Sequence, residues 1–324
     1  MTNFLRRNPY ATEPDSDFLL EKPTSLWKGA FGRLRRRRTG QIGMVLIGGL
    51  ILMALLAPLI APFAPNEVLI GKEEGVKRRT APCYDALDFI GMFRCDSEDQ
   101  PQHLLGTDGN VRDEFSRVVY GSRISLLVGI TVVVVAVTIG ALLGSIAGFW
   151  SGWADNIIMR IMDVVLGFPS FLLAIAIVAV LGPGIRNAML GVVIVSIPVY
   201  ARVMRAGVLS IKELDYVAAS RSLGASSVRI LWTRVVPNAL TPLVVLATLG
   251  LATAILDVAG LSFLGLGAQP PSAEWGTMLA SERNQVFTAP HLVFFPGLMI
   301  MLTVLGFNLL GDGLRDALDP SLQD

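Results

Sequence analysis

Very few residues in this 324-residue chain are placed to do chemistry. Its two cysteines, Cys83 and Cys95, stand twelve positions apart in a polar segment. That spacing is open to a disulfide in an oxidising compartment or to two separate thiols. Two cysteines make neither a disulfide-dense scaffold nor a multi-cysteine metal site. The two histidines, His103 and His291, are far apart and form no ligand spacing, so no metal is expected. A phosphate loop is missing: Gly71-Lys72 lacks both the upstream glycine and the hydroxyl residue after the lysine. H-E-x-x-H, C-x-x-C and G-x-S-x-G do not occur either. No catalytic residue is assigned, and no cofactor is expected on this chain. One acid, Asp257, interrupts an apolar run, and an acid in such a place is a functional candidate by default. The competing reading is a structural carboxylate satisfied by Ser, Thr or backbone donors of a neighbouring helix.

What the chain offers instead of catalysis is a docking element. Glu213–Pro242, ELDYVAASRSLGASSVRILWTRVVPNALTP, is polar and basic within a very apolar C-terminal two-thirds. Leu214 and Val217 fall on one helix face by their i, i+3 spacing. Ala218, Ala219 and Ser220 are small enough for close approach, and Gly224 is suited to end a helix. Ser226 or Ser227 can cap a second helix, and Pro237 leads into the next apolar run. The expectation is a helix, a glycine turn and a second helix along the membrane surface.

The elements that must position this stretch are membrane spans. Hydrophobic residues make up 52% of the chain and charged ones only 16%, against about 25% charged in soluble domains. Residues 1–41 carry nine Lys/Arg and four acids, ending in Arg33, Arg35, Arg36, Arg37 and Arg38. Five arginines directly before a span are explained by the positive-inside rule, which places this tail in the cytoplasm and makes a nucleic-acid arm the weaker reading. Ile42–Ala64 follows with 23 uncharged residues, enough to cross about 30 Å of hydrocarbon. The long preamble argues against a cleaved signal peptide.

Residues 65–123 then form an external polar loop with eight basic and eleven acidic residues. Residues 124–311 hold five further spans: Ile124–Phe149, about Ile161–Leu181 with a kink at Pro169, about Ala188–Met204, Ala239–Leu266 and Leu292–Leu310. Gly140, Gly144 and Gly148 line one face of the second span and invite a close helix neighbour. Asp163 sits near the start of the third, within reach of Arg160 or the interface. The loop 202–238 and the tail 312–324 return to the cytoplasm, so six spans put both termini on the same side.

Glu213–Pro242 resembles the EAA loop of ABC importer permeases, E-A-A, three residues, G, nine residues, I-x-L-P. Ala218-Ala219-Ser220 takes the E-A-A positions, Gly224 the glycine, and Arg234-Val235-Val236-Pro237 the last four. The family's glutamate is replaced by Ala218. HLLGTDGNVRDEFSRVVYGSRISL (103–126), LSFLGLGAQPPSAEWGTML (261–279) and GDGLRDALDP (311–320) are similar to signatures of the dipeptide, oligopeptide and nickel permeases, C-type subunit. Val111 stands where that pattern has glycine. The likeness covers about 26–66 and 103–320, leaving out the insertion 67–102 that holds both cysteines.

This resemblance implies a type I ABC importer permease: all-α, polytopic, with six transmembrane helices and a cytoplasmic coupling helix. It implies a bacterial plasma-membrane location and a heterodimer with a second, homologous permease. Two cytoplasmic ATPase subunits would bind the ATP and Mg, and an extracytoplasmic solute-binding protein would deliver the cargo. Ala218, Ala219, Ser220, Leu223, Gly224, Ala225 and Pro237 would seat the ATPase. The cargo would be a di- or oligopeptide, with nickel chelates and other peptide-like solutes as alternatives. A stand-alone secondary transporter would need internal repeats or a lining of ionisable groups, and neither is seen. A membrane scaffold whose basic loop binds a signalling partner is a third reading.

Overall fold

The computed structural model describes residues 32–35, 37–83 and 101–318. Cys95, Arg36, much of the 67–102 insertion and the outer parts of both tails lie outside the described residues.

Long uncharged runs satisfy their own backbone polar groups only as helices when no water is at hand, and among the described residues the regular structure is helical. Helix α1 is Arg38–Leu55, followed by the short α2, Ala57–Ile60. Helix α3, Glu114–Trp150, is capped by Asp113, whose side chain accepts the Ser116 N–H. Helices α4, Gly152–Leu166, and α5, Ser170–Leu181, meet at 90° around Pro169. Helix α6 spans Ile185–Ile211. The short α7, Asp215–Ser222, and α8, Ser227–Ile230, follow, then a π turn over Leu231–Val235 and helix α9, Val236–Phe263. Helices α10, Trp275–Glu282, and α11, His291–Leu318, complete the chain.

Five of these helices are long and apolar enough to cross a membrane, and the bent α4–α5 pair makes a sixth if counted as one span. The single kinked helix expected over about Ile161–Leu181 is thus two helices at a right angle. Pro169 has no N–H to continue the ladder and clashes with the preceding turn, and Gly167 offers no side chain to hold the break straight.

Helix α3 packs chiefly on α6, as the glycine stripe foretells. Cβ atoms at Gly140, Gly144 and Gly148 would fall 2.7 Å from Tyr200 Cβ, 2.9 Å from Met204 Cβ and 3.0 Å from Val208 Cβ. Only glycine lets these two backbones come so close. Val132, Val192, Met204, Val208 and Leu243 fill the core that α3, α6 and α9 share. A second core, with Ile47, Leu50, Ile255, Trp275 and Phe307, joins α1, α3, α9, α10 and α11.

At one end of the bundle, residues 65–83, 101–113 and 268–290 form a folded cap rather than a loose polar loop. Asp108 accepts the backbone N–H groups of Asn110 and Arg112 and holds the Arg112 guanidinium at 2.6 Å. Arg117 donates to the carbonyls of Pro65 at 2.7 Å, Pro271 at 3.3 Å and Ser272 at 3.3 Å. Glu282 ties the two loops together by accepting Arg79 Nε at 2.9 Å and the Gly109 N–H at 3.0 Å. Buried charges survive when paired and hydrogen-bonded, and Asp108, Arg112 and Arg117 all satisfy that condition. Val111 holds φ +58, in the left-handed region that favours glycine.

Candidate functional site

The segment 212–235 lies at the end of the bundle opposite the cap. Helix α7 starts after Leu214, whose carbonyl accepts the N–H groups of Val217 and Ala218. It ends in a Schellman motif: Ala225 N–H donates to the Ser220 carbonyl at 3.2 Å and Gly224 N–H to that of Arg221 at 3.0 Å. Gly224 takes φ +80, which a residue with a Cβ adopts only under strain. Of the two candidate serines, Ser226 is the cap of α8, accepting the Arg229 N–H. Pro237 cannot donate to the carbonyl four residues back, and the chain widens into the π turn just ahead of it.

Of the expected pair Leu214 and Val217, only Val217 faces the protein. Val217 is fully buried beside Ile230, Leu231 and Val235, while Leu214 stands exposed. The bend at Leu214 sets the pair apart, because Leu214 precedes the helix rather than belonging to it. Ala218, Ala219, Leu223, Gly224 and Pro237 are exposed, and Ser220 and Ala225 are half-buried. Leu223 keeps 88% of its surface open, and a Cβ at Gly224 would meet no described atom within 4 Å. The helix–glycine–helix is therefore anchored on one side by Val217 and Ile230 and presents small and apolar groups on the other.

A polar clasp that sequence reasoning missed holds this segment in place. Arg205 grips Asp155 through two bonds of 2.5 and 2.6 Å, and Arg202 bonds Asp163 at 2.6 Å. Lys212 donates to the Gly148 carbonyl at 3.0 Å and to Ser151 Oγ at 2.7 Å. Asp163 thus pairs with Arg202 rather than Arg160. Basic residues at 202, 205 and 212 look like ordinary topology markers in the sequence. Their partners lie at the C-terminal end of α3, in the turn at Ser151 and on α4, far from them in the sequence.

Asp257 stands on α9 and lines a cavity of about 400 Å³ with Ser170, Ser196, Tyr200 and Thr253. It makes no hydrogen bond or ion pair with any described residue. The Ser, Thr or backbone donor of the structural reading is not found among the described residues. A second cavity, of about 410 Å³, shares Leu246 and Leu249 with the first and continues along α9 to Arg315. Pro242, Leu246, Leu249, Thr253 and Asp257 recur at helical spacing, so one face of α9 runs open from near the cap toward the opposite end. No group of three potential metal ligands occurs among the described residues. Cys83 is buried and its N–H donates to the His103 carbonyl, whereas Cys95 lies outside the described residues.

Residues 140–324 match the family described as binding-protein-dependent transport system inner membrane component. The chain belongs to this family. Residues 25–78 also match the N-terminal transmembrane domain of oligopeptide transport permease C, which carries the likeness past residue 66 into the insertion. The di/tripeptide transport system permease protein DppC of Pseudomonas aeruginosa is 44% identical over 321 residues, covering 98% of this chain and 99% of that one. The dipeptide transport system permease protein DppC of Alkalihalophilus pseudofirmus is 41% identical over 315 residues, 97% of this chain and 95% of the relative. The glutathione transport system permease protein GsiD of Pectobacterium atrosepticum is 49% identical over 240 residues, 74% of this chain and 80% of its own. A solved inward-facing MetNI methionine ABC transporter chain superposes with a TM-score of 0.50 at 20% identity, covering 63% of this chain and 96% of that one. That likeness concerns the fold: the chain is a multi-pass, all-α permease of the type I importer architecture.

Proposed function

We propose that this permease forms half of the membrane pathway of a bacterial importer for di- or oligopeptides. Transport permeases of this family depend on a binding protein, and the cargo reading rests on the printed names of relatives that align along nearly the whole chain. In this reading a second, homologous permease supplies the other half of the pathway, and a solute-binding protein docks at the cap end. Two ATPase subunits hold ATP and Mg and seat on the opposite end, one against Ala218, Ala219, Ser220, Leu223, Gly224 and Ala225. Residues 1–41, the 202–238 segment and residues 312–324 then face the cytoplasm. The cap lies outside, where a Cys83–Cys95 disulfide is compatible with an oxidising compartment.

The observation that carries the coupling role is the open side of α7. A short helix rooted in the core by Val217, with Leu223 left uncovered, is built to be covered by something else. Closure of ATPases beneath it would push α7, and the Arg205–Asp155 clasp would pass the movement to α6 and α4. Coupling of this kind needs one element whose two positions both partners bias.

Gly224→Asp tests it in proteoliposomes containing the complete complex. The expected result is a chain that inserts and assembles but hydrolyses ATP without moving peptide. Peptide uptake at the parent rate would remove α7 from the coupling role.

A further inference from the structure

The α9 cavity has the chemistry of a site for a primary ammonium group. Five of its lining groups carry oxygens that can accept from a ligand: the Asp257 carboxylate and the hydroxyls of Ser170, Ser196, Tyr200 and Thr253. The Ser196 hydroxyl already donates to the Val192 carbonyl at 2.7 Å, and that of Thr253 to the Gly250 carbonyl at 3.0 Å. With those protons spent on their own helices, both oxygens can only accept from a ligand. Tyr200 is buried, yet its hydroxyl bonds no described residue and lies against Gly250 at the cavity wall. Among the described residues no Lys, Arg or His lines the cavity, so Asp257 meets no described cation there. Along α9, Asp257 lies six residues from the helix end, about 9 Å at 1.5 Å per residue.

A negative charge in a membrane span, ringed by acceptors and without a partner among the described residues, calls for a cation that carries several N–H donors. A transition-metal ion would want imidazole or thiolate donors, and none lines this cavity. A volume of about 400 Å³ also falls in the range of small-ligand sites.

We propose that Asp257, Tyr200, Ser196 and Thr253 bind the α-ammonium group of the peptide as it passes through the membrane. This rests on the peptide-import reading above. The site is a resting point that recognises what all unblocked peptides share, whatever their side chains, and leaves side-chain selection to groups elsewhere.

The test uses the complete complex in proteoliposomes, dialanine as probe, and Asp257→Asn, Asp257→Glu and Tyr200→Phe variants checked for assembly. Asp257→Asn should lower dialanine uptake by about tenfold to a hundredfold, the scale of losing a charge-assisted hydrogen bond. Asp257→Glu should recover much of the loss, and Tyr200→Phe should show a smaller fall. Uptake by Asp257→Asn at the parent rate would overturn the site and leave the peptide reading standing. A parent complex that moves no peptide would overturn both. Loss of assembly in Asp257→Asn but not in Asp257→Glu would also overturn it, since the acid would then pair with a cation of the second permease.

Discussion

The two ends of this bundle solve opposite problems. At the cap, Asp108, Arg112, Asp113 and Arg117 are buried and each is engaged by described residues. At the other end, α7 and α8 keep most of their side chains exposed and root themselves through Val217 and Ile230. A region whose buried charges are paired internally resists deformation, because each opened bond exposes a buried charge. A region held by two apolar anchors can shift as a unit when a partner presses on it. In the proposed reading, this puts rigidity where the binding protein would dock and compliance where the ATPases would press.

The comparison breaks most visibly if the cap is not in fact rigid, and Arg117→Ala is the severe test. Removing this guanidinium leaves Asp108 with Arg112 as its one described cation and takes a donor from the Pro65, Pro271 and Ser272 carbonyls. Breaking a buried charged network from one side costs about 3–5 kcal/mol. Thermal unfolding of the detergent-solubilised complex should show a marked fall in midpoint. A midpoint within a degree or so of the parent would mean that the cap contributes little.

A smaller effect, with a sign, comes from His103. Its Nδ1 lies 2.9 Å from Asp113 and its Nε2 3.1 Å from Glu73. Burial opposes a charge on this ring, but the Asp113 hydrogen bond and the charges of Asp113 and Glu73 outweigh it, so the pKa lies above the usual 6.5. A pKa raised on folding stabilises the protein fully below the unfolded value and loses that contribution as pH climbs through the folded one. The cap should therefore loosen as pH rises above 6.5. Faster amide exchange at Thr107, Asp108 and Arg112 beyond the intrinsic increase with pH would show it. His103→Gln should flatten that dependence, and an unflattened profile would assign it to other groups.

How much of this was legible beforehand differs between the ends for a physical reason. The 212–235 segment could be read because its determinants are local: Gly224 at a helix terminus, Ser226 as a cap and Pro237 before a span each act within a turn of themselves. The glycine stripe on α3 was readable too, since helical spacing alone puts Gly140, Gly144 and Gly148 on one face. The cap was not. Arg79 meets Glu282 across 203 positions and Arg117 meets Ser272 across 155, and no periodicity announces such pairs. The clasp escaped for the same reason, as Asp155 and Arg205 are 50 positions apart. Asp257 stood out as an acid among apolar residues, but that it meets no partner among the described residues is a fact of packing.

Leu223 sharpens the comparison from the other side, because it should leave stability almost untouched. The side chain is 88% exposed and sits at the C-terminal cap of α7, where its backbone N–H donates to the Ala219 carbonyl whatever the side chain is. Exposed substitutions away from buried networks usually change stability by less than about 0.5 kcal/mol. Leu223→Asp keeps that backbone bond and adds a charge where an apolar partner surface is expected to press. Burying an unpaired carboxylate in such a contact is costly, so the ATPase subunits should dissociate more readily while the permease melts at the parent temperature. Co-purification of ATPase at graded salt, with a melting curve on the same sample, reads both quantities. A lowered melting point with ATPase still bound would invert the division, making the coupling end the one that depends on its own internal packing.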